Sequence, residues 1–184
     1  MKNMLLKSVS ALALLLPTLA MAHPGHHEIE VSQGLLAGVL HPLMGLDHLL
    51  AFVALGVLIA KSSIKQASMI GSLFIALLAM GFYGAQLGVL EVATGTIENM
   101  ILVSVGLSVG LIALLKVVQG NISALVLTGF AVFHGLAHGL EVPAGASTHG
   151  FAIGFLFSSL ALMITARLLT KLSMVALPKF KVNH

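Results

Sequence analysis

The chain has 184 residues, 58% of them hydrophobic and 8% charged, with a net charge of +3 and a mean hydropathy of +1.08. A soluble domain carries about 25% charged residues, so this balance is that of an integral membrane protein with little mass outside the bilayer. No cysteine is present, which excludes disulfides, thiolate metal sites and iron–sulfur clusters, and so sparse a positive charge carries no argument for nucleic acid.

Residues 1–22 read as a cleavable signal peptide. Lys2 and Lys7 form a basic start, an apolar core runs from Val9 to Leu19, and Ala20-Met21-Ala22 places small residues at −3 and −1. An uncleaved anchor helix is the alternative reading. Cleavage leaves residues 23–31 as a His-rich extracytoplasmic N-terminus that begins with His23, Pro24, Gly25, His26, His27 and Glu28.

Five apolar stretches follow, near 32–60, 66–90, 97–118, 122–141 and 148–172. Each reaches the roughly 20 residues that cross a bilayer core, and no alternating strand pattern competes with helix. The sequence therefore predicts an all-α integral membrane protein, a five-span helical bundle over 32–172 with a basic cytoplasmic tail at 173–184. With five crossings, Lys61, Lys65, Lys116, Arg167, Lys171, Lys179 and Lys181 fall on one side, and Glu28, Glu30, Glu91, Glu98 and Glu141 on the other. The basic side is expected in the cytoplasm, giving N-out and C-in, as a cleaved signal peptide also requires. One glycine pair at four-residue spacing falls in each span: Gly34/Gly38, Gly84/Gly88, Gly106/Gly110, Gly135/Gly139 and Gly150/Gly154. Such pairs allow close approach of helix backbones.

The first span holds HPLMGLDHLL, residues 41–50. Pro42 lacks an amide proton, and its ring crowds the carbonyl of Gly38. It biases His41 away from helical angles, and Gly45 loosens the next turn. A Pro/Gly-interrupted first span, broken within 41–45, is the expectation. Broken helices at membrane depth commonly build ion sites in transporters. The fourth span holds FHGLAHGLE, residues 133–141. His134 and His138 are one helical turn apart and Glu141 is three further on, so all three share a face beside Gly135 and Gly139.

Ionisable side chains inside a membrane are costly and mark function by default. Two imidazoles one turn apart form a chelate for a divalent metal, and carboxylates add ligands and neutralise charge. The candidate ligands are His41, Asp47, His48, His134, His138 and Glu141. A rise of 1.5 Å per residue places them in order of depth, from outside: Glu141, His138, His134 with His41, then Asp47 with His48. This is a ladder rather than one closed cage. His23, His26, His27 and Glu28 form a possible outer capture site, with His149 as a weaker candidate. Met44 and Met80 offer soft sulfur but read more readily as filler. Gln86, Ser104, Ser108 and Thr128 either line a path or bond between helices.

The two motifs together resemble the HupE/UreJ family, membrane proteins associated with nickel hydrogenases and ureases. The resemblance covers the whole chain, including the signal-like start. It implies uptake of Ni2+ or Co2+ as the transported ion, with no organic cofactor, through a permease of the bacterial inner membrane. It also implies that His41, Asp47, His48, His134, His138 and Glu141 are the functional residues, with a link to maturation of nickel enzymes. Neutral imidazole suits nickel, cobalt, zinc and copper alike, so the residues alone do not select the ion. No Gly-x4-Gly-Lys-Ser/Thr sequence is present, hence no recognisable ATPase in the chain itself. The rival readings are a metal-centred membrane enzyme with Glu141 as ligand or general base, a haem protein with histidine axial ligands, and a metal-binding accessory protein that does not transport.

Overall fold

The computed structural model describes residues 34–115 and 117–176. The signal-like segment, His23, His26, His27, Glu28, Lys116, Lys179 and Lys181 lie outside the described residues. In chain order the helices are α1 (Gly34–Met44), α2 (Leu46–Leu58), α3 (Ile64–Gln86), α4 (Thr94–Ala113), α5 (Gly120–Gly129), α6 (Ala131–Leu140) and α7 (Thr148–Ala176). Helices α5 and α6 form one apolar run, Gly120–Leu140, with Phe130 between them. That run, α3, α4 and α7 are each long and apolar enough to cross a membrane. The bent pair α1 and α2, at 78° to one another, makes a fifth when counted as one span. The chain is thus an all-α, multi-pass bundle.

The break in the first span falls at Gly45, within the expected interval. Its residue-level cause differs from expectation. His41 and Pro42 are both helical, and α1 continues through Pro42 to Met44. The proline φ suits a helix, and the cost of its missing N–H falls on one carbonyl only. Gly45 instead takes extended angles, φ −94° and ψ 118°, and its carbonyl starts the new helix by accepting from Leu49 N at 3.0 Å. The turn into α3 is set locally by Ser63-x-x-Gln66. Ser63 Oγ accepts from Gln66 N at 3.2 Å, and Gln66 Oε1 accepts from Ser63 N at 3.1 Å, a reciprocal cap.

Glycines set the close helix pairs and, with them, the register. A Cβ on Gly34 would strike the Ser147 carbonyl, one on Gly38 the Phe151 carbonyl, and one on Gly154 the Leu35 carbonyl. Helix α1 therefore runs parallel to the first half of α7. Further along, Gly56 of α2 lies against Met163 and Ala166, which keeps the same direction. Gly81, Gly135 and Gly139 bring α3 and α6 together by the same means, again in parallel, through Val132, Leu78 and Phe82. Spans one and five are thus co-directional, as are two and four. Gly120 abuts the Leu58 carbonyl, so span four begins where span one ends.

Two of the expected glycine pairs do not bring helices together, although a Cβ on Gly84 would strike the Leu90 side chain in the loop after α3. Gly88 lies past the end of α3 in a turn with φ +64°, and a Cβ on Gly106 or Gly110 would meet nothing within 4 Å. The first is a turn glycine, suited to a left-handed backbone. The second pair faces outward from the bundle.

Arg167 closes the end of span one. Its Nε donates to Ile59 O at 3.3 Å and its Nη2 to Ser62 O at 3.0 Å, a cation on the carbonyls that a helix C-terminus leaves over. Ser62 Oγ also donates to Asn121 Oδ1, tying this end to α5. Lys61 and Lys65 lie exposed at the same end of the bundle. Glu91, Glu98 and Glu141 lie exposed at the other, where α3 ends, α4 starts and α6 ends.

Candidate metal centre

The broken span determines the site. Past Gly45 the chain turns by 78° and brings Asp47 and His48, in the first turn of α2, back beside His41 in the last turn of α1. The ring centroids of His41 and His48 are 5.8 Å apart. A straight helix separates residues seven apart by about 10 Å along its axis. Gly45 sits directly on this pair. A Cβ there would lie 2.6 Å from His48 Nδ1 and 2.8 Å from Asp47 Oδ1, so a side chain at this position displaces one or both.

Helix α6 supplies the other two imidazoles. Gly135 and Gly139 seat its back against α3, and His134 and His138 face α1 and α2. His48 lies between them, with ring centroids 5.0 Å from His134 and 4.4 Å from His138. His41 lies 4.3 Å from His138 by the same measure. The Nε2 atoms of His48 and His138 face each other, and Asp47 Oδ1 lies 2.9 Å from His48 Nδ1. Two trios result: His41, His48 and His138, and Asp47, His48 and His134. Within each, one ligand atom per residue lies within 4.8 Å of the others. His48 belongs to both.

This geometry replaces the expected order of depth. Spans one and four do meet at the histidines, but His41 is paired with His138 rather than with His134. His48 lies between the two α6 histidines instead of below them. The reason is the turn at Gly45, which folds the first turn of α2 back toward α1. Glu141 follows α6 as its C-terminal cap, with a side chain 43% exposed and Oε2 3.6 Å from His138 Nδ1. It stands at the rim of the cluster and belongs to neither trio.

The surroundings are largely apolar, with His41 and Asp47 half-buried. His48, His134 and His138 are buried, and Phe52, Phe151 and Phe155 wall the cluster. Beyond His134 lies a small cavity bounded by Phe52, Phe74, Leu127 and Ser104. Buried polar groups need partners. His134 Nε2 has one in Ser104 Oγ of α4 at 3.0 Å, whereas nothing among the described residues hydrogen-bonds its Nδ1. Of the other polar residues in the spans, Gln86 Nε2 donates to Gly139 O, Ser108 Oγ donates to Ser104 O, and Thr128 Oγ1 donates to Ala124 O. Met44 and Met80 are exposed. His149 is exposed too, its Nδ1 3.4 Å from Tyr83 Oη. The sequence motifs did not single out Gly45 as a contact of the Asp47–His48 pair, nor Ser104 as a partner of His134. Only its polarity in an apolar span marked Ser104.

Chemically, the cluster is a concentration of imidazole nitrogens with one carboxylate and, among the described residues, no buried lysine or arginine beside it. Facing ring nitrogens need a proton or a cation between them, since two lone pairs repel. Such a donor set suits a borderline divalent transition metal.

Comparison with known proteins agrees with this picture. The model of the family described as HupE / UreJ protein matches residues 11–179. Protein HupE of Rhizobium leguminosarum bv. viciae is 34% identical over 152 residues, which cover 83% of this chain and 76% of that protein. No solved structure matches the chain. The matched region takes in both histidine motifs and every described helix, and the chain belongs to the HupE/UreJ family, a nickel/cobalt-related family of transporters rather than of enzymes.

Proposed function

We propose that this protein is a permease of the bacterial inner membrane that carries Ni2+ or Co2+ into the cytoplasm. The observation that carries the reading is the sharing of buried His48 between two trios of ligand atoms. A shared ligand lets an ion change partners without leaving its coordination shell. In this reading His41, His48 and His138 receive the ion, and Asp47, His48 and His134 hold it next, with Glu141 at the rim attracting it. The sorting of charge between the two ends supports N-out and C-in, with Lys61 and Lys65 on the cytoplasmic side. The ion then arrives at the Glu141 end.

The remaining assignments follow from the same reading. Residues 1–22 are a signal peptide, 23–31 a His-rich extracytoplasmic N-terminus, and 173–184 a basic cytoplasmic tail. His23, His26, His27 and Glu28 capture metal where it is scarce, with His149 near the mouth. The ion supplies maturation of nickel or cobalt enzymes. The buried aromatic wall on one side of the cluster favours one other reading, an accessory protein that binds metal without passing it.

Initial Ni2+ influx into proteoliposomes containing the purified protein, with Co2+, Zn2+ and Mn2+ as competitors, tests the proposal. Saturable influx that Co2+ blocks and the others do not is the expected result. Tight stoichiometric binding without influx replaces the permease by the accessory protein.

A further inference from the structure

We infer that Ser104 of α4 is a positioning residue for this centre, one that fixes which nitrogen of His134 meets the metal. The inference rests on the metal-centre reading above. Ser104 is buried, 1% exposed, and its hydroxyl has one proton. That proton goes to Ile101 O, 2.7 Å away within the same helix. Ser104 Oγ therefore meets His134 Nε2 as an acceptor at 3.0 Å, and Nε2–H donates. In a neutral imidazole the lone pair is then on Nδ1. That atom is buried and has no hydrogen-bond partner among the described residues. The arrangement is the one by which a ligating histidine is commonly held: one ring nitrogen donates to a fixed acceptor, and the other is left for the metal.

The helix around Ser104 supports the role. Ser108 Oγ donates to Ser104 O at 2.7 Å, so the backbone at Ser104 is itself tied one turn further on. The second motif lies wholly within span four, yet its tautomer is set from span three, thirty residues earlier in the chain. Asp47 has the corresponding position for His48, with Oδ1 2.9 Å from Nδ1. Both histidines of the Asp47 trio, His48 and His134, thus have an oxygen partner on one ring nitrogen.

The test uses the full chain in nanodiscs with 15N-labelled histidine, the His134 signals being assigned by difference against His134→Ala. In the metal-free wild type, neutral His134 should show the Nε2–H tautomer. Ser104→Ala should lose that preference and weaken Ni2+ binding by roughly 10–100-fold. Ser104→Thr, which keeps the hydroxyl, should retain the tautomer and recover most of the affinity. An Nδ1–H tautomer in the wild type overturns the inference, and this spectrum decides it even if the alanine variant fails to insert. Wild-type Ni2+ binding that Ser104→Ala leaves unaltered overturns the positioning role alone. Failure of the wild type to bind Ni2+ or Co2+ overturns the metal-centre reading and the positioning role with it.

Discussion

His48 and His138, ninety residues apart in the chain, face each other through their Nε2 atoms, and His48 reaches His134 on its other side. One imidazole from the first span thus divides the pair on the fourth. The consequence is unequal importance among the four histidines.

Removing His48 dismantles both trios, whereas removing His41 or His134 leaves one standing. His48→Ala should therefore weaken Ni2+ or Co2+ binding most, by more than the roughly 10–100-fold typical of losing an outer partner of a ligand. His48→Ala and His134→Ala should each nearly abolish uptake while the protein still inserts. Calorimetric titration of the purified variants, with uptake in cells, checks this. Equal affinity losses for His41→Ala, His48→Ala and His134→Ala would remove the shared role of His48.

Gly45 should tolerate no side chain without a cost at the site. Its Cβ would lie 2.6 Å from His48 Nδ1, and the position is not constrained by a positive φ. Gly45→Ala should thus lower metal affinity by about tenfold or more, on the scale of disturbing a ligand's support, with little change in thermal stability. Affinity equal to wild type would show that the Asp47–His48 pair shifts without consequence.

Small residues on the helices should divide into two classes. Gly38→Ala places a Cβ on the Phe151 carbonyl, and α1 has to move off α7. A loss of about 1–3 kcal/mol is expected, as for other overpacked interiors. Gly106→Ala meets nothing within 4 Å of the chain and should be close to neutral. Thermal unfolding in one detergent, read side by side, distinguishes them.

Arg167 should matter for stability and not for metal. It donates to Ile59 O and Ser62 O at the basic end of the bundle, with the histidines nearer the other. Arg167→Leu leaves those carbonyls without their cation, at a cost of roughly 1.5–3 kcal/mol for hydrogen bonds to a charged group. A lowered Tm with unchanged Ni2+ affinity is the expected pair of results.

The sequence by itself determined what depends on local chemistry. Apolar length marks the spans, because every backbone polar group in lipid must be satisfied within its own helix. The i, i+4 spacing puts His134 and His138 on one face, because the helical repeat leaves no other choice. Pro42 and Gly45 announce a break in span one, although the residue at which it falls was not legible there. A proline that enters a helix and a glycine that leaves it both weaken the same turn, and packing decides between them. The tertiary structure alone decided that the turn at Gly45 folds Asp47 and His48 back, that His41 pairs with His138, and that Ser104 holds His134. The last two contacts join residues 97 and 30 positions apart. They depend on the glycine contacts that set the register of α1 on α7 and of α6 on α3, and no local pattern encodes a register between distant helices.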